Sequence, residues 1–222
     1  MKGNIMNSQT LTPLLPKQGK KEQRFQDIED ILEQYHYVFR FDPFLDFANV
    51  APIPAEAWFK EELLFALSHR GDDDKEAFAC EFLIVPFLRS VWKRHERVNL
   101  FSHVQIKADD LVLIPDYLVT GKTPTGFKRV YKPLLLTVEA KNEDFDEGWF
   151  KALLQAIVCQ KLNEPNDIPI HMIVTTGDVW QFGRLEQTHF VRHPLPLSIE
   201  NPEMLLGVLD TVFASCEQQI PE

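Results

Sequence analysis

The chain has 222 residues, 45% of them apolar and 25% charged, with a formal net charge of -10 and a sequence pI near 5.2. This composition places it among ordinary soluble globular proteins, with length for one full hydrophobic core. No stretch is long and apolar enough to span a membrane and no signal-peptide core is present, while the acidic total weighs against a polyanionic partner unless a local basic surface or a cation-holding carboxylate site offsets it.

Residues 1–21 read as a loose N-terminal arm, rich in lysine, proline and small polar residues, before a single domain over 22–222. From Glu22 to about Tyr37, Phe25, Ile28, Ile31, Leu32 and Tyr35 recur at helical spacing. Residues 39–54 are aromatic and proline-punctuated, an irregular segment over the core. A second helix is expected from Ala55 to Ser68, closed by the turn Arg70-Gly71-Asp72-Asp73-Asp74. The next, from Lys75 to His95, is long and apolar, with Pro86 predicting a kink or break.

Residues 96–108 alternate as a strand or hairpin. A single strand is then expected over 111–119, through Ile114-Pro115-Asp116, and a glycine- and lysine-bearing loop over 121–129. The run Lys132-Pro133-Leu134-Leu135-Leu136-Thr137-Val138-Glu139-Ala140-Lys141 is too short for a typical helix and reads as a strand buried on both faces. The acids of 142–148 open a helix from Trp149 to Leu162, stopped by Asn163-Glu164-Pro165. Strands follow over 168–176, 179–185 and 188–191, and Asn201-Pro202-Glu203 caps a last helix to Gln218. The order predicts an α/β domain: a central mixed β-sheet flanked by α-helices, with extra helices at the N-terminal side. Cys80, Cys159 and Cys216 are isolated in apolar segments, as buried thiols of a cytoplasmic protein are.

One constellation carries chemistry. Glu139 and Lys141 leave the same face of their strand, about 6–7 Å apart. If the strand bearing Asp116 pairs with it as a hairpin, the two carboxylates converge at one end of the sheet beside the lysine. Paired carboxylates repel unless protonated or bridged by a cation, and Mg²⁺ (or Mn²⁺) suits oxygen donors while leaving positions for water and phosphate. A lysine there orients water and offsets transition-state charge, as metal-assisted phosphodiester hydrolysis requires. The bland alternatives are an Asp that ends a strand in a turn and a same-face ion pair. The seven histidines show no paired zinc spacing, and no phosphate loop, serine elbow or dinucleotide fingerprint occurs.

Pro115-Asp116, Glu139-Ala140-Lys141, Glu81 on the preceding helix and Gln155 on the following one resemble the PD-(D/E)xK nuclease superfamily. Residues 175–182 look like the strand-turn-strand that follows this core in restriction-type domains, and are especially similar to the N-terminal nuclease module of type I restriction subunits. The resemblance covers about 75–186 and implies a restriction-endonuclease-like core and a Mg²⁺-dependent nuclease, with DNA as its partner. It implies metal binding by Asp116, Glu139 and the Ala140 carbonyl, water positioning by Lys141, and support from Glu81 and Gln155. Glu81 would otherwise need a partner such as Arg89, or exposure, and Gln155 would be a surface amide. Lys122, Lys128, Arg129 and Lys132 form the best local basic patch and are expected to hold phosphates near the site. The rival is a catalytically inactive binding protein that keeps the fold. A homodimer is compatible with either reading.

Overall fold

The structure, a computed structural model, describes residues 25–71, 76–163 and 168–221. The expected arm over 1–21, the aspartates of the turn at 72–74 and the helix stop at 164–165 lie outside the described residues. The main sheet has the order β1-β9-β8-β7-β6-β5-β2. Its strands are β1 (Val38–Phe41), β2 (Val98–Ser102), β5 (Tyr117–Gly121), β6 (Leu134–Ala140), β7 (Ile170–Thr175), β8 (Val179–Glu186) and β9 (His189–Arg192). A short β10 (Leu197–Ser198) pairs with β8. β2, β5 and β6 form an antiparallel meander, and β7 then lies parallel to β6. That parallel step needs a crossover, and α5 (Phe145–Asn163) supplies it.

Helices cover both faces, as the sequence order predicts. On one face α2 (Ala57–Ser68), α4 (Val85–Trp92) and α6 (Pro202–Gln218) bury Phe59, Phe87, Val91, Leu209 and Phe213 against Val119, Leu136, Val138 and Trp180. On the other, α1 (Ile28–Tyr35) and α5 pack Ile31, Trp149, Leu153 and Ile157 against Leu118, Met172, Val174 and Phe190. Each such fully buried side chain contributes roughly 1.5–3 kcal/mol. All three cysteines are free and buried. No helix among the described residues is long and apolar enough to cross a membrane.

Four sequence expectations are corrected. The segment after α1 is not wholly irregular: Val38–Phe41 is an edge strand, parallel to β9. The strand expected over 111–119 is two. β4 (Leu111–Leu113) pairs with β3 (Ile106–Ala108) in a separate ladder, and β5 begins only at Tyr117. Pro115 lacks the N–H that a continuous central strand needs, so the chain changes ladders there. Of the kink or break expected at Pro86, the break does not occur, and the irregularity takes the form of a change in helical hydrogen bonding just before the proline. The long helix runs as α3 (Glu76–Phe78), a π-helical stretch Ala79–Ile84 and α4. The Val85 N–H reaches back five residues to the Cys80 carbonyl, and this wider turn passes a proline that has no N–H to give. Lastly, α5 starts at Phe145, with Asp144 Oδ1 accepting the Glu147 N–H at 2.9 Å, so the acids are its cap and first turn.

Gly177, in the β7–β8 turn, has φ +87°, and a Cβ there would lie 3.0 Å from Leu83 Cβ. Glycine supplies the left-handed backbone and lets the turn rest on the π-helical stretch.

Candidate functional site

Asp116 stands immediately before β5, and Glu139 and Ala140 end β6. Because β5 and β6 are antiparallel, with Tyr117 opposite Val138, these residues meet at one end of the hairpin. Asp116 Oδ2 accepts the Ala140 N–H at 2.7 Å, which locks the Pro-Asp turn to the end of the neighbouring strand. Glu139 is 4% exposed and Lys141 5%, and their side chains pair at 3.0 Å.

Glu139 faces α5. Its Oε2 accepts from Gln155 Nε2 at 2.7 Å, and Oε1 takes Lys141 and, at 3.6 Å, Lys151. Lys151 also pairs with Glu147 at 2.7 Å, one helical turn away. The amide oxygen of Gln155, Oε1, is buried without a hydrogen-bond partner among the described residues.

The electrostatics follow from this crowding. Burial pushes the Asp116 carboxyl above its usual range, and the Glu139 and Glu76 charges add to that; the Ala140 N–H and His103 oppose it. Burial works against the Lys141 charge, but Glu139 and Glu76 outweigh it and hold the ammonium well above the ordinary lysine value. Lys141 is therefore a cation fixed in a nearly closed pocket.

Sequence reasoning placed Glu81 in this cluster, yet its side chain is exposed, and its charge is felt at the Tyr117 phenol rather than at Asp116. The acid of that helix whose carboxylate reaches the cluster is Glu76, 3.7 Å from the Lys141 ammonium. The basic loop is also misplaced by the sequence reading. Lys122, Lys128, Arg129 and Lys132 are exposed in the β5–β6 connection, and a hairpin's connection lies at the end opposite to the one where Asp116 and Glu139 meet. The length of β5 puts that loop roughly 15–20 Å away. There Lys128 lies over the Trp92 and Phe101 rings and Arg129 over Tyr131.

Three neighbours escaped the sequence reading. Lys151 was legible in principle, since it lies four residues before Gln155 on one helical face. Glu76 was not, because the following π turn shifts the helical phase. His103 was not either: its N–H bonds the Asp116 carbonyl at 3.0 Å, and its Nε2 sits 3.4 Å from Asp116 Oδ1. Only strand register brings it there. Among the described residues no three His, Cys, Asp or Glu side chains surround a common metal position; two ammoniums and an amide converge on Glu139, and Asp116 is hydrogen-bonded to the next residue, Ala140.

No protein-family model matches the chain, and no curated protein matches it. Among solved structures it is similar to the type IIG restriction endonuclease BpuSI, at 14% identity and a TM-score of 0.40, over 76% of this chain and 18% of that one. The chain thus spans under a fifth of that enzyme's length.

Proposed function

We propose that the chain is a metal-dependent nuclease that hydrolyses phosphodiester bonds, with DNA as its substrate. The observation that carries this reading is the meeting of Asp116, Glu139 and Lys141 at one end of the β5–β6 hairpin. The donor set suits Mg²⁺ or Mn²⁺: two carboxylates, one of them pushed up by burial and then by its neighbour, and an unpartnered amide oxygen on Gln155 ready for a bound water. Asp116, Glu139 and the Ala140 carbonyl would hold the ion, which would supply Lewis-acid polarisation of the phosphate and a lowered pKa for a bound water. Lys141 orients that water and offsets charge on the phosphoryl oxygens. Gln155 fixes the Glu139 carboxylate, and Glu76 keeps the lysine charged.

A second reading, a nuclease-fold binding protein without catalysis, draws on two observations. Both Glu139 oxygens are already engaged by the chain's own groups. Beside Lys151 a groove of about 520 Å³ is lined by Asp27, Glu29, Asp144, Asp146 and Glu147, a surface that repels a polyanion.

Plasmid, linear duplex and single-stranded DNA incubated with Mg²⁺ or Mn²⁺ decide between them. Cleavage is expected with wild type, to stop with EDTA, and to fall by about 10²–10³-fold in Asp116→Asn and in Lys141→Met. If wild type cleaves none of the substrates, the binding-protein reading stands. If both variants cleave as wild type does, the activity belongs to another site.

A further inference from the structure

We propose that His103 is a further ligand of the cation at Asp116, and that it gives the site a preference for a first-row transition dication over Mg²⁺. The inference rests on the nuclease reading only in taking Asp116 as a cation ligand.

His103 follows β2 directly, and the β2–β5 register, Ser102 opposite Tyr117, places it across from Asp116. Its backbone has φ 52°, a left-handed conformation uncommon outside glycine but one histidine tolerates better than most residues. This turn, fixed by the bond from the His103 N–H to the Asp116 carbonyl, throws the ring back over the Asp116 carboxylate.

The two oxygens of Asp116 are then unequal. Oδ2 is spent on the Ala140 N–H, so Oδ1 is the one offered outward, and the group beside it is His103 Nε2 at 3.4 Å. Two donors each about 2.0–2.1 Å from a tetrahedral ion stand roughly 3.4 Å apart. The other ring nitrogen faces Ser102 Oγ at 3.5 Å, which leaves Nε2 as the nitrogen turned to the carboxylate. The imidazole is 60% exposed, so an ion from solution reaches it without displacing the core. Glu139 is buried and engaged by Gln155, Lys141 and Lys151, so it joins an ion held at Asp116 only by exchanging a lysine contact for the metal.

An imidazole beside a carboxylate changes what the site selects. Mg²⁺ favours oxygen donors and gains little from nitrogen, whereas Mn²⁺, Co²⁺ and Zn²⁺ accept it, with affinity rising in that series. Asp116 Oδ1 and His103 Nε2 suffice to bias the choice, with water filling other positions.

Calorimetric titration of the EDTA-treated, dialysed 222-residue chain with Mg²⁺, Mn²⁺ and Zn²⁺ tests this, in wild type, His103→Ala and Asp116→Asn. A cobalt titration followed by visible absorption reports nitrogen ligation directly. The expected result is that His103→Ala weakens Mn²⁺ and Zn²⁺ by roughly tenfold or more, shifts the cobalt spectrum, and leaves Mg²⁺ within about twofold. Because the ring is exposed, the variant is expected to melt as wild type does. If His103→Ala binds all three ions as wild type does, or weakens all three equally, the ligand role is overturned. Asp116→Asn keeps the two ideas separate. Loss of binding there, with His103→Ala silent, overturns His103 alone; unchanged binding there overturns the cation site of the nuclease reading too.

Discussion

Glu139→Ala is expected to lower the melting temperature by roughly 10 °C and, on the proposed nuclease reading, to reduce cleavage at least as far as the roughly 10²–10³-fold expected of Lys141→Met, which loses less stability. The asymmetry comes from where the charges sit. Glu139 is the shared partner of Lys141, Lys151 and Gln155. Removing it leaves the nearly enclosed Lys141 ammonium with Glu76 alone, at 3.7 Å, and leaves both ends of the buried Gln155 amide unpaired. Breaking a buried pair from one side costs about 3–5 kcal/mol, and each kcal/mol moves the midpoint of a chain this size by roughly 2–4 °C. Lys141→Met removes the other member, but Glu139 keeps Lys151 and the Gln155 N–H, so its carboxylate is never left alone. Thermal melts followed by far-UV circular dichroism give the two midpoints. Equal midpoints would show that Glu139 is not the electrostatic centre of the site.

How much of this was legible depends on what each signal reports. The β6 strand was readable because an uninterrupted apolar run ending in charge has few other solutions, and all seven of its residues are buried. The meeting of Asp116 with Glu139 followed from pairing that strand with the one before it. The same pairing also dictated that the lysine-rich connection lies at the far end; composition suggested a phosphate patch, and hairpin geometry removes it from the site. β1 was hidden because Val38, Phe39, Arg40 and Phe41 are all exposed at the sheet edge, so no alternation marks them. The π-helical stretch has no periodicity of its own, and of the acids on that helix it is Glu76, not the exposed Glu81, that lies 3.7 Å from the Lys141 ammonium. His103 has no motif at all. It becomes a neighbour of Asp116 through strand register, which only the folded chain displays, whereas Lys151 shares a helical face with Gln155 and could have been read from that spacing.

The helix that supplies Gln155 and Lys151 also fixes Lys141, through a residue with no side chain. A Cβ on Gly148 would fall 2.4 Å from Val174 Cγ1 and 3.1 Å from Lys141 Cγ. Both neighbours are buried, and the first is a branched side chain on a central strand that has no room to yield. Gly148→Ala therefore lifts the start of α5 off β7, despite the higher helix propensity of alanine. The expected cost is about 1–3 kcal/mol, the range for overpacking a tight core. The lift also carries Gln155 away from Glu139 and pushes the Lys141 stem aside, so cleavage falls by about 10²-fold, as misplacement near 1 Å does. Val174→Ala in the same chain removes the first clash while leaving Lys141 its own. The double variant is expected to regain most of the lost stability but only part of the activity. Urea denaturation and a single-turnover cleavage assay separate the two, and a double variant no more stable than Gly148→Ala would show that Val174 is not what the glycine makes room for.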